Sequence, residues 1–319
     1  MKKLIALLLI IATATILLCS CKKTDDTEIK IGYLAGPTGI GMAKMINDAN
    51  SQYVFSKYTA PDKAVTDLNA GNIDIACLST EAAAKFYNNG SEFKVLAINC
   101  LNSVCILTND SVTINSINDL EGKTIYTCKQ GTPKLVLQAL LDAYGINATI
   151  SHTVGEDTIN SPDQIAPVIV KNLADIVLAP VHVAQNAMAK PNTKHSVALD
   201  LDALWNAKFD TPIAMGCIVA RTDFINEHPI AINNFMSEYK SSIEYMSNPD
   251  NNATASQYII DSTILTELEP AKKALAQLSE AIEYIDGADM KTTLVNSYNI
   301  FGMTVIGGKL PDDNFYYEK

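Results

Sequence analysis

Short apolar runs alternate with helix-length amphipathic segments along most of this chain, and turn residues stand at the joints between them. Residues 29–34 (IKIGYL) read as a strand, 36–41 (GPTGIG) as a tight glycine turn and 42–49 as a helix. A second strand is expected at 53–58. Pro61 suits the first turn of a helix over 61–70, which Gly71 stops. Residues 73–78 (IDIACL) read as a buried strand, Ser79 or Thr80 then caps a helix over 81–88, and 93–98 is the next strand. The pattern then recurs. A strand at 123–127 is followed by Gln130-Gly131-Thr132-Pro133, which turns into a helix over 134–144 with Thr132 as its cap and Gly145 as its stop. Strands at 150–154 and 176–178 flank a helix over 161–173, and Pro180-Val181-His182 leads another to residue 188. Residues 213–221 (IAMGCIVAR) read as a strand returning to the first series; 224–301 is almost entirely helical, and 307–313 is a turn-rich tail.

Such an alternation predicts open, mostly parallel α/β sheets. The chain has 319 residues, beyond the roughly 250–300 at which a single core stops growing. Two α/β lobes are therefore expected, joined by two extended crossings near residues 99–108 and 216–222. Residues 29–103 and 220–319 would form one lobe and 104–219 the other. Ligands of open α/β sheets bind beyond the carboxyl ends of the strands. Four strand-to-helix corners should face a central cleft: 36–41, 79–80, 130–133 and 180–182.

The balance of 24 Lys+Arg against 35 Asp+Glu gives a net charge of −11. A nucleic-acid partner would need a basic stripe to neutralise phosphates, and the sequence has none. Arg221 is the single arginine. It falls at an expected crossing, which argues against a receptor that grips an amino-acid carboxylate. Gly36 and Gly41 have phosphate-loop spacing, but Met42 and Ala43 stand where that loop needs Lys and Ser/Thr, so nucleotide hydrolysis is excluded. The sequence contains no Gly-x-Ser-x-Gly elbow, His-Glu-x-x-His motif or Cys-x-x-Cys pair, and no cofactor or metal is expected. Whether Cys100 and Cys105 pair is left open. At each corner a purely structural turn or cap competes with a binding role. His182 is either a ligand contact or a satisfied polar residue at a helix start. Tyr33, Tyr126 and Met215 are candidates to sandwich a flat ring, and three helix N-termini could instead hold a small oxyanion.

At the N-terminus, Lys2 and Lys3 precede a 16-residue apolar run ending in Leu18-Cys19-Ser20-Cys21. This reads as a secretory signal over residues 1–20. It resembles a bacterial lipoprotein box in which Cys21 is lipidated and residues 21–28 form a tether. Together with the opening IKIGYLAGPTGIGMAKM, the segment Asn72-Ile73-Asp74-Ile75-Ala76, the stretch DLEGKTIYTCKQGTPKLVLQALL and the closing GGKLPDDNFYY, it resembles the solute-binding lipoproteins of ABC importers. The similar branch is the one that binds nitrate, sulfonates, taurine and thiamine precursors.

That resemblance implies the type II periplasmic-binding fold. It also implies an extracytoplasmic, lipid-anchored monomer that delivers a small solute to a permease and its ATPase. Its ligand would sit at Pro37, Thr38, Gly39 and Ile40 of the first corner, Ser79 and Thr80 of the second, and Gln130, Gly131 and Thr132 of the third. His182 and Met215 are added from their positions in the sequence. The solute would be either a sulfonate-like or nitrate-like anion or a thiamine-precursor-like heteroaromatic. Two rivals stand beside this reading: an enzyme on the same fold (chorismate-dehydratase-like or pyrimidine-precursor-synthase-like) and a surface sensor.

Overall fold

The computed structural model describes residues 25–129 and 131–318. The expected signal sequence, the expected lipidation site Cys21 and the candidate Gln130 lie outside the described residues. The strands are β1 (Ile29–Leu34), β2 (Tyr53–Tyr58), β3 (Ile75–Ser79), β4 (Phe93–Cys100), β5 (Val104–Thr108), β6 (Thr124–Tyr126), β7 (Thr149–Ser151), the hairpin β8 (Thr153–Val154) and β9 (Asp157–Thr158), β10 (Ile176–Pro180), β11 (Ser196–Asp200) and β12 (Gly216–Arg221). They build two five-stranded sheets, in the orders β2-β1-β3-β12-β4 and β11-β5-β10-β6-β7. Each is mostly parallel, with one interior strand reversed. β12 runs antiparallel between β3 and β4, and β5 runs antiparallel between β11 and β10.

The reversed strands are those that follow the two crossings. From β4 the chain passes through Leu101–Ser103 into β5, within the expected first crossing. The second crossing differs from expectation. β12 already belongs to the first sheet, with Gly216 opposite Ser79 and Cys100. The crossing therefore occupies residues 207–215, and the boundary expected at 219/220 moves ahead of Gly216. The apolar run 213–221 carries no mark of where the connection ends, because central strands covered on both faces are apolar throughout.

Both faces of each sheet are covered. One apolar cluster runs through facing sides of both sheets, joining Ile31, Leu107 and Val177 to Phe235, Tyr239 and Leu275 of the C-terminal helices. A second lies on the other face of the first sheet around Phe93, Tyr298 and Phe315, and a third on the other face of the second sheet around Trp205. The helix Pro133–Tyr144 shows how such faces arise. It buries Val136, Leu137, Leu140 and Leu141, all on one side, each contributing about 1.5–3 kcal/mol, and Gly145 ends it in the left-handed region at φ 70°. The expected helical return is broken into Thr222–Glu227, Pro229–Ser247, Asn252–Asp261, Leu268–Leu278 and Gly287–Phe301. It does not keep to the first sheet: Leu268–Leu278 packs on Val181–Met188 of the second half, where Gln185 Nε2 donates to Gln277 Oε1 at 2.9 Å.

Candidate functional site

The carboxyl ends of β1, β3 and β10 and the start of β12 converge on one cavity of about 160 Å³. Its wall includes Leu34, Gly36, Pro37, Thr38 and Ser79 from the first half, and Gly131, Thr132, Pro133, Asp163, Pro180 and His182 from the second. Cys100 at the end of β4, with Ser103 and Met215 from the two crossings, completes it. Of the expected site residues, Pro37, Thr38, Ser79, Gly131, Thr132, His182 and Met215 thus share one hollow. Thr59–Pro61 and Ser161–Asp163 also line it. Sequence reasoning missed both, although each carries the Pro-after-turn signal used elsewhere.

Three expected residues stand behind the wall instead. Ile40 is fully buried in the core. A Cβ at Gly39 would lie 2.1 Å from the Leu34 carbonyl oxygen, so this glycine serves a close backbone approach. Thr80 is fully buried, donating Oγ1 to the Ala214 carbonyl at 2.6 Å and its N–H to the Met215 carbonyl at 3.1 Å. It ties the corner to the second crossing. Tyr33 is likewise committed elsewhere: its hydroxyl donates to the Ser262 carbonyl at 3.1 Å. Neither it nor Tyr126 lines the cavity.

Both hydroxyls expected as helix caps have another use. Ser79 and Thr132 occupy cap positions without making a side-chain cap bond. Ser79 Oγ donates to Glu81 Oε1 at 2.9 Å, and Thr132 Oγ1 donates to Glu81 Oε2 at 2.7 Å. Glu81, in the first turn of Thr80–Asn88, therefore joins the two halves. Burial pushes its carboxyl up, opposed by those two hydroxyls and by backbone N–H groups of its own helix. In the sequence it reads as an ordinary first-turn acid complementing the helix dipole.

Several corner amides are missing or engaged. Three helices begin with a proline that has no N–H: Pro37, Pro61 and Pro133. Thr80 N–H donates to Met215, and Val181 N–H to the Ser103 carbonyl at 2.9 Å. Gly39 and Ile40 N–H both return to the Gly36 carbonyl. Among the described residues on the wall none is Lys or Arg, and Asp163 carries the formal charge. His182 is 7% exposed, its Nδ1 has no hydrogen-bond partner, and burial lowers its imidazole to about 4, leaving it neutral at pH 7. Its ring lies against Gly36 (φ 141°), where a Cβ would approach Nε2 to 3.2 Å.

Arg221 lies at the far end of β12, pairing with Asp74 at 3.4 Å and Asp223 at 3.3 Å. Five strand steps, about 17 Å, separate it from Gly216, the neighbour of Met215 on the cavity wall. Cys100 and Cys105 are free, buried thiols; burial pushes each up to about 12. Among the described residues no group of His, Cys, Asp and Glu is arranged to hold a metal ion.

Residues 54–253 match the NMT1/THI5-like family. The chain belongs to that family. No curated protein matches this NMT1/THI5-like chain. Among solved structures it is similar to an ABC transporter protein from Parabacteroides distasonis (19% identity, TM-score 0.74, covering 92% of this chain and 99% of that one). It is also similar to the periplasmic aliphatic sulphonate binding protein SsuA from Escherichia coli (14%, 0.71, 92% and 93%). A third is the alkanesulfonate-binding protein SsuA from Xanthomonas axonopodis pv. citri bound to MOPS (13%, 0.68, 91% and 96%). At these identities the likeness is one of fold, and the fold is type II periplasmic-binding.

Proposed function

We propose that this NMT1/THI5-like chain is the extracytoplasmic solute-binding component of an ABC importer, lipid-anchored through Cys21. It captures a small molecule between its two sheets and delivers it to a permease and its ATPase. One observation carries the reading: Pro37–Thr38 and Gly131–Thr132, from corners of different sheets, line the same cavity. A ligand there bridges both halves and favours the closed arrangement by its higher affinity for it.

Of the two ligand classes, the cavity favours an uncharged flat heteroaromatic over a sulfonate-like or nitrate-like anion. An anion would need free corner amides or cationic side chains. Several of the first are missing or engaged, the second are absent from the described wall, and Glu81 already holds the amides of its own helix. An apolar cavity of about 150 Å³ holds one benzene-sized molecule, and this one encloses about 160 Å³. A catalytic role would call for a nucleophile or acid–base pair poised near neutral pH. Here the Cys100 thiol is pushed up to about 12 and His182 down to about 4, both away from that range.

A thermal-shift screen tests the reading. Uncharged single-ring heteroaromatics should stabilise the protein by about 2.7 kcal/mol at a hundredfold excess over Kd, with sulfonates and nitrate giving nothing. Stabilisation by the anions alone would overturn the ligand class. Conversion of a bound compound to product would overturn the binding role.

A further inference from the structure

The main cavity has a neighbour. A second chamber of about 180 Å³ shares Ala35, Asp163 and His182 with it and continues to Asn186, Leu265 and Thr266. His182 and Asn186 stand one turn apart on the helix Val181–Met188. His182 Nδ1 and Asn186 Oδ1 are both buried without a hydrogen-bond partner. Buried polar atoms are normally satisfied, and leaving one unpaired costs about 1–3 kcal/mol. Here two lie on one chamber, beside a carboxylate, and the described walls of both chambers hold no Lys or Arg.

From this juxtaposition we infer that the second chamber is a subsite for a hydrogen-bond-donating, non-anionic tail carried by a ligand whose ring occupies the main cavity. The inference rests on the ring reading given above. An amide oxygen and a carboxylate accept hydrogen bonds and repel a negative group, so the tail ends in a hydroxyl or an ammonium. His182 stands between ring and tail. Its neutral imidazole can offer Nδ1 as donor or acceptor according to tautomer.

A matched series at pH 8 tests this: 3-methylpyridine as the bare ring, and 3-(pyridin-3-yl)propan-1-ol, its propylamine analogue and its propanoate analogue as tailed rings. Binding is measured by calorimetry on the intact protein. The alcohol or the amine should bind at least tenfold more tightly than 3-methylpyridine, and the propanoate should gain nothing. The better of the two tails identifies the group the chamber takes. Asn186→Leu should erase the gain and leave 3-methylpyridine unchanged; Thr266→Val, isosteric and at an exposed position, should reduce it if the leucine variant fails to fold. Binding of 3-methylpyridine without gain from either donor tail overturns the subsite and leaves the ring reading standing, as does tightest binding by the propanoate. Absence of binding throughout the series removes the ring reading and the subsite with it.

Discussion

A methyl group at residue 216 has no room. It would lie 2.3 Å from Thr38 Cγ2 and 2.6 Å from Asn99 Oδ1. Asn99 also holds the first corner by donating to the Thr38 carbonyl at 3.2 Å. Gly216→Ala should therefore cost about 1–3 kcal/mol of stability, the usual cost of overpacking, and weaken ligand binding by displacing Thr38. Chemical denaturation and calorimetry would register both. His182 makes a second prediction. Its folded pKa, about 4, lies below the unfolded 6.5, so the folded state binds fewer protons between those values. Its contribution is intact above pH 6.5 and is lost as pH falls toward 4, reaching about 2–3 kcal/mol by pH 4.5. The raised carboxyl of Glu81 acts in the opposite sense across the acidic range. The readout is thus the difference between wild type and His182→Gln, whose stability should fall less on acidification. Urea titrations at pH 7 and 4.5 that gave the two proteins an equal loss of unfolding free energy would refute it.

Among the elements, Thr132→Val isolates the contact that joins the helices Thr80–Asn88 and Pro133–Tyr144. Losing a hydrogen bond to a carboxylate costs about 1.5–3 kcal/mol. The loss falls on closure, because the opened arrangement returns Glu81 to water. Binding should weaken by roughly 10- to 100-fold on that scale, with the melting temperature of the ligand-free protein nearly unchanged. A large drop in melting temperature would assign Thr132 to the fold instead. These corners were legible in the sequence because proline and glycine mark where strands end and helices begin. The partner of their hydroxyls was not: Ser79, Glu81 and Thr132 meet only once both sheets are assembled. The amide accounting was equally hidden, since Thr80 and Val181 spend their N–H groups on the crossing segments at Met215 and Ser103. β11 escaped notice because it is a mostly exposed edge strand with a single buried residue, Leu199.

Across the whole molecule, the two-sheet architecture followed from the strand–helix alternation, and one boundary did not. The first sheet reclaims the chain at Gly216, and the C-terminal helices reach back onto the second half through Gln277 and through Phe301, whose ring lies 6.3 Å from that of Trp205. Side chains far apart in sequence decide those contacts, and no local pattern announces them. Glu81 and Thr132 already join the halves without a ligand, so the free protein should sample closed and open forms, and Thr132→Val should shift it toward the open one. Scattering would show this as a larger radius of gyration for the ligand-free variant. Capture and closure by one cavity built from both sheets can be followed by scattering from wild type and Thr38→Trp with the strongest compound from the thermal-shift screen. Saturation should make wild type more compact, and Thr38→Trp, folded but with the cavity filled, should neither bind nor contract. Tight binding by Thr38→Trp, or an unchanged radius of gyration for saturated wild type, would contradict it.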